Sequence, residues 1–190
     1  KRALRRGLEN PIDRELLLSE KKTRARDILR GRGIKAEILD VSLSNIERAG
    51  RDRRLLKRIG TVGSLLLTGG DQRRLTETLL HCADATPVLA AIVGAYEKGT
   101  PLIGVAAAAS AFASHMIAEG DSEAALRHGS SEDAGFSGVV VEQGIGLTRC
   151  GLIDQNFLQR QRLGRLVVAC ASRGEHLGFG LCEESGLVIT

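Results

Sequence analysis

The sequence predicts an α/β protein, a three-layer, mostly parallel sheet flanked by helices. Three observations carry this expectation. Short continuous apolar runs, the mark of strands buried on both faces, alternate with segments of helical periodicity. A Gly-Gly pair closes one run and a string of small residues closes another, each marking a sharp turn from strand to helix. The 190 residues are 43% hydrophobic and 26% charged, a globular balance with enough chain for a core that needs no metal or disulfide.

The elements follow in order. Asp13–Arg32 and Ser42–Ile59 alternate charge with aliphatic residues at helical spacing. The first carries Leu17, Ala25, Ile28 and Leu29; the second carries Leu43, Ile46, Ala49, Leu55 and Leu56. Between them Lys35–Val41 alternates as a strand does, and Ser42 stands where it caps the second helix. Val62–Thr68 is a buried strand that ends in Gly69-Gly70-Asp71-Gln72. Residues 73–82 and 87–98 are helices, with Pro87 just inside the start of the second. Pro101–Val105 is another buried strand, and Ala106–Ala118 is small, apolar and helix-prone. Asp121–Gly135, rich in Ser, Gly and charge, is an exposed loop. Gly138–Glu142 is a strand and Leu158–Ala171 an amphipathic helix. Leu177–Leu181 and Leu187–Thr190 form a closing hairpin around Glu183-Glu184-Ser185-Gly186.

Composition narrows the function classes. Aromatic residues are only 3% of the chain, with no Trp, which argues against modules that stack bases on aromatic platforms. No apolar stretch reaches the roughly 18 residues of a membrane span. No secretory signal is visible, so the expected location is the cytoplasm, or an organelle matrix if a targeting segment has been removed. The chain opens on Lys1 and its only Met is Met116, so a native start is expected to precede it. Cys82, Cys150, Cys170 and Cys182 match no zinc spacing and read as buried free thiols. The histidines are scattered, so neither a metal nor another cofactor is expected. Residues 1–60 hold 18 Lys+Arg against 9 Asp+Glu, whereas residues 61–190 hold 9 against 14. A basic first third fits either solvated Arg-rich helices or a polyanion surface, nucleic acid included.

Three loops carry the chemical interest: Gly69–Gln72, Gly104–Ala109 and Asp154–Arg165. Each is expected at the C-terminal end of a strand, where open α/β sheets place their ligands. Strand, tight small-residue turn and helix at Gly104–Ala109 is the layout of a nucleophile elbow, yet no hydroxyl or thiol stands at its tip. In the third loop Arg162 and Arg165 share a helix face, and Arg160 precedes them by two. Guanidinium forks suit carboxylates, although arginines on a helix are as readily a solvated face.

At these residues the sequence resembles the cyanophycinase family, serine peptidases that cut the Asp–Arg polymer cyanophycin and are related to aspartyl dipeptidases. The matching segments are Leu67–Leu75, Thr86–Ile92, Gly104–Ile117, Gly144–Leu147, Ile153–Leu166 and Gly178–Ile189. The most specific is Ile153–Leu166, with its D-Q-x-F-x-x-R-x-R-x-x-R-L pattern. The resemblance runs from about Lys35 to Thr190, so the expected organisation is a basic helical segment, 1–34, and a cyanophycinase-like α/β domain, 35–190. It implies a fold like the class I glutamine amidotransferases and aspartyl dipeptidases. It also implies two opening strands, the first ending in Gly-Gly, which residues 1–34 do not contain.

The resemblance further implies a serine nucleophile in a G-T-S-A-G elbow, a histidine base in D-Q-H-F and an orienting glutamate. The nucleophile position falls on Ala106 and the base position on Asn156, while Glu183 matches the orienting acid. Gly70 and Ala107 fall where the family's oxyanion-hole amides stand. Gln72, Asp154, Gln155, Arg160, Arg162 and Arg165 match its substrate-binding residues. Alanine cannot attack a carbonyl, and an amide takes no proton at neutral pH. Three readings follow. The first is a pseudoenzyme that binds an Asp/Arg-rich peptide or cyanophycin, or serves as a structural subunit of a homo-oligomer or larger assembly. The second is a peptidase that is trap-mutated or uses Ser110 or Ser114, which lie roughly 6 and 12 Å along the helix from the tip. The third is an accessory subunit that contacts a polyanion through Arg2, Arg5, Arg6, Lys21, Lys22, Arg24, Arg51, Arg53 and Arg54.

Overall fold

A computed structural model describes residues 22–190 except Cys82. The chain divides after Asp40 into two units. In the first, helix α1 (22–31) ends in a turn at Gly33, where the Arg32 and Ile34 amides donate to the Leu29 carbonyl. The part of the expected Asp13–Arg32 helix that precedes residue 22, Leu17 included, lies outside the described residues.

The second unit runs α2 (Ile46–Arg51), α3 (Arg53–Ile59), β1 (Leu65–Gly69), α4 (Gln72–Leu79), β2 (Leu80–His81), β3 (Asp84–Ala85) and α5 (Pro87–Glu97). It continues with β4 (Leu102–Ala106), α6 (Ala107–Ala111), β5 (His115–Glu119), α7 (Ser122–His128) and β6 (Ser130–Ser131). It closes with β7 (Val139–Gln143), β8 (Leu152–Gln155), α8 (Leu163–Arg173) and β9 (Gly178–Leu181). The fold class is α/β. Among the described residues β1 pairs with β4, β6 with β7 and β8 with β9 in parallel, while β5–β7 and β2–β3 are antiparallel. One hydrophobic core joins β5, β7 and β8 to α7 and α8 through Ile117, Val139, Val141, Leu152, Ala125, Leu166 and Ala169.

Several elements differ from expectation, each for a local reason. Lys35–Val41 is neither helix nor strand, because no strand pairs with it among the described residues. Ser42 is not a cap: it opens a turn in which its carbonyl accepts from Asn45 N and its amide donates to Asn45 Oδ1. The expected Ser42–Ile59 helix is broken at Asp52, whose backbone is extended and whose carboxylate accepts from Arg54 N and Leu55 N to start α3. Helix α4 stops at Leu79 because Leu80–His81 pairs with Asp84–Ala85. His115–Glu119 is strand rather than helix, since ladder bonds to β7 outweigh helix propensity. Ser122–His128 is helix rather than loop, capped by the Asp121 carboxylate on Ala124 N. The strand expected before the third loop is β8, which takes in Asp154 and Gln155, and α8 begins at Leu163 instead of Leu158, after a turn at residues 157–161. Leu187–Thr190 stays unpaired among the described residues, so the closing hairpin does not form.

The expectation of burial on both faces fails for β1 and β4. Leu66, Ile103 and Val105 stand on one face of this ladder and are 41%, 46% and 46% exposed. The other face is covered by α6, which follows β4 so tightly that a Cβ on Gly104 would sit 2.9 Å from Ala109 Cα. Only glycine permits that approach.

Candidate functional site

The turn from β4 into α6 is sharp and strained. Ala106 is exposed and adopts φ 55°, ψ −120°, a conformation that non-glycine residues hold only when the surroundings impose it. The surroundings here are Gly104 behind the turn and the fully buried Ala108 and Ala111 in α6. Ser110, one turn further on, is 2% exposed, and its Oγ has no hydrogen-bond partner among the described residues. Ser114 lies past the end of α6, where its carbonyl accepts from Gly144 N.

Parallel pairing aligns Gly69 with Ala106, so Gly70 and Ala107 leave their strands side by side. Gly70 is exposed with open space around it, and Ala107 is buried. Gln72 begins α4 and donates Nε2 to the Ile117 carbonyl of β5 at 2.6 Å, which ties the Gly69–Gly70 loop to that strand. Next to it, Arg73 donates to Glu142 at 2.8 Å and to Glu119 at the end of β5. The hydrogen bond to Glu142, aided by Glu119 and opposed by burial, raises the Arg73 pKa. Arg73, Glu119 and Glu142 were not foreseen; the only sequence signal was that Arg73 follows Gln72.

The third loop is organised around Asp154, which is 1% exposed. Arg165 closes a fork on it, with Nε at 2.7 Å from Oδ2 and Nη2 at 2.5 Å from Oδ1, and donates Nη1 to the Gly120 carbonyl at 2.8 Å. Arg162 donates Nη1 to Asp154 at 3.1 Å and to the Gln155 carbonyl at 2.5 Å. Both arginines are buried, at 7% and 5% exposure, so their charges face the protein. Burial and then the charge of Arg165 pull Arg162 down to about 10, with Asp154 opposing. Arg160 differs: it is exposed, and no hydrogen bond or ion pair engages its side chain among the described residues.

Asn156 follows β8 in a left-handed conformation, φ 51°, and donates its amide to Gln155 Oε1. β8 aligns with β9 so that Gln155 faces Leu181, which brings Asn156 and the exposed Glu183 to the same end of that pair. No hydrogen bond joins Asn156 to Glu183 among the described residues. α6 packs on β8, Gln72 and Arg73 bind β5, and Arg165 bridges Gly120 to Asp154. These ties connect the loop after β1 to β5, and the end of β5 to β8. The Gly70 and Ala107 turns follow β1 and β4, and the Asp154 arm follows β8.

The cysteines and the basic residues remain. Cys150, Cys170 and Cys182 are free but half-buried rather than buried, and burial pushes the Cys170 thiol up, helped by Glu175. Cys82 lies outside the described residues. Arg51, Arg53 and Arg54 are exposed on α2 and α3; Arg2, Arg5, Arg6 and Lys21 lie outside the described residues. Among the described residues no group of three His, Cys, Asp or Glu side chains is arranged for a metal, and no helix is long and apolar enough to cross a membrane.

No family model matches the chain. It is similar to the cyanophycinase of Trichormus variabilis, with 35% identity over 152 residues that cover 80% of this chain and 46% of that protein. It is also similar to the cyanophycinase of Nostoc sp., at 35% over 153 residues, again 80% and 46%, and to that of Synechococcus elongatus, at 30% over 160 residues, 84% and 45%. The chain thus spans about half the length of these relatives. The crystal structure of a peptidase from an acI-B1 Actinobacterium shares the fold, with a TM-score of 0.64 at 15% identity over 93% of this chain and 63% of that one.

Proposed function

This chain belongs to the cyanophycinase-like peptidase family, and on that premise we propose that it is a non-catalytic member that binds a carboxylate-bearing Asp/Arg peptide instead of cutting it. The observation that carries the reading is Ala106: the strained backbone of a nucleophile elbow persists around a methyl group. Asn156 at the base position supports it, since a carboxamide accepts no proton at neutral pH. The buried Ser110 counts against a substitute nucleophile. The gain for a ligand lies in Arg160 and in the Gly70 and Ala107 amides, which suit anionic oxygens. Arg162, Arg165 and Asp154 shape the arm, Gln72 braces the Gly70 loop, and Glu183 follows β9 at the end of the pair where Asn156 follows β8.

The proposed binding domain is residues 35–190, with the basic segment 1–34 apart, and the proposed setting is a cytoplasmic homo-oligomer or larger assembly. The test is incubation of purified protein with cyanophycin. Release of β-Asp-Arg dipeptide is expected to stay at background while the dipeptide itself binds; clear turnover overturns the proposal. Labelling of Ser110 or Ser114 by a serine-directed probe would favour an active peptidase. The polyanion reading has support in Arg53 and Arg54 on α3, and a steep salt dependence of binding to RNA would favour it.

A further inference from the structure

We propose that Ser122 is a positioning residue, its hydroxyl holding the arm of residues 156–162 so that Arg160 is presented to the ligand carboxylate. The proposal rests on the binding role given above to that arm. Helix α8 starts without a cap of its own, because its N-cap residue, Arg162, makes no side-chain capping bond. The missing acceptor comes from another helix. Ser122 Oγ, on the first residue of α7, accepts from Arg165 N at 3.3 Å. The same hydroxyl donates to the Gln161 carbonyl at 2.5 Å. One side chain thus satisfies an orphan amide of α8 and pins the last residue of the turn before it.

That turn needs pinning. Asn156 and Gln161 both hold positive φ, 51° and 52°, which side-chain-bearing residues adopt at a cost. Its internal bonds are Arg160 N to the Asn156 carbonyl, Gln161 N to Leu158 and Arg162 N to Phe157. None of them engages the Gln161 carbonyl, which among the described residues is held by Ser122 Oγ, while Arg162 beside it is anchored by Asp154 and the Gln155 carbonyl. The reach is possible because Gly164 lets the helices touch: a Cβ there would lie 2.9 Å from Ser122 Cβ.

Ser122→Ala removes only the hydroxyl. Helix α7 keeps its own cap, Asp121 Oδ1 on Ala124 N at 2.8 Å, and alanine is a good helix former. The experiment compares wild type, S122A and the double variant S122A/Q161G by amide hydrogen exchange and by calorimetric titration with β-Asp-Arg dipeptide. For S122A, protection at Arg165 N is expected to fall about fivefold and dipeptide affinity by about five- to tenfold, the effect of one lost capping bond. Glycine at 161 removes the positive-φ penalty, so the double variant is expected to regain affinity without regaining protection at Arg165. If wild type binds the dipeptide and S122A binds it equally well, the positioning role is overturned, whatever happens to the melting temperature. Failure of wild type itself to bind overturns the binding role of the arm, and the positioning role with it.

Discussion

The β4–α6 turn and the Asp154 arm hold opposite things. At the turn the backbone retains a costly shape, φ 55° and ψ −120°, while the side chain of Ala106 has no chemistry. At the arm the charged groups remain, but Arg162 and Arg165 point inward at Asp154, and only Arg160 faces outward. Shape at the turn is held by close packing behind it, so it does not depend on the side chain at its tip. Charge at the arm is stored by ion pairs, so it is usable only where a group is left over.

The sharpest way to break this contrast is to place a serine and a histidine at residues 106 and 156. In a triad enzyme the loss of nucleophile or base alone costs on the order of 10⁶ in kcat. Ala106→Ser and Asn156→His are therefore each expected to remain silent, while the double variant releases dipeptide from cyanophycin at a measurable rate. If the double variant is silent although folded, the turn no longer has an enzyme's geometry. Next in size is Asp154→Ala, which strands two buried guanidinium groups. Urea unfolding should show a loss of about 3–5 kcal/mol. A loss below 1 kcal/mol would mean that the arm is solvated. Arg160→Gln should weaken dipeptide binding about tenfold, the worth of a charged hydrogen bond, and leave stability within about 0.5 kcal/mol. The smallest effect is expected at the turn itself. Ala106→Gly relieves the backbone and should raise stability by about 1 kcal/mol, read as a higher urea midpoint with an unchanged slope.

Much of this contrast was legible in the sequence, and the reasons for the rest are physical. Gly104 and the alanines after it announced a tight turn, because small residues are what such packing requires. The partner of Arg162 and Arg165 was not legible. Spacing put them on one helix face, but Asp154 reaches them only because residues 157–161 turn back before α8 begins. The strand at His115–Glu119 was hidden by residues that favour helices, and its ladder partner β7 is remote in sequence. Asp52 looked like one more charge on a long helix, although it is the cap that divides two. The helix at Ser122–His128 was masked by the serines and glycines around it, even though Asp121 in front of it is a favoured cap.

The tight approach at Gly104 has a practical corollary. A saturation library across the turn should show two neighbouring positions with opposite tolerance. At Gly104 every side chain collides with the Ala109 backbone, so functional clones should retain glycine alone. At Ala106, where the side chain projects into solvent, small polar and apolar replacements should survive alike. A directed-evolution campaign aimed at installing new reactivity on this scaffold therefore has one open door, and the residue two places before it is its fixed hinge-post.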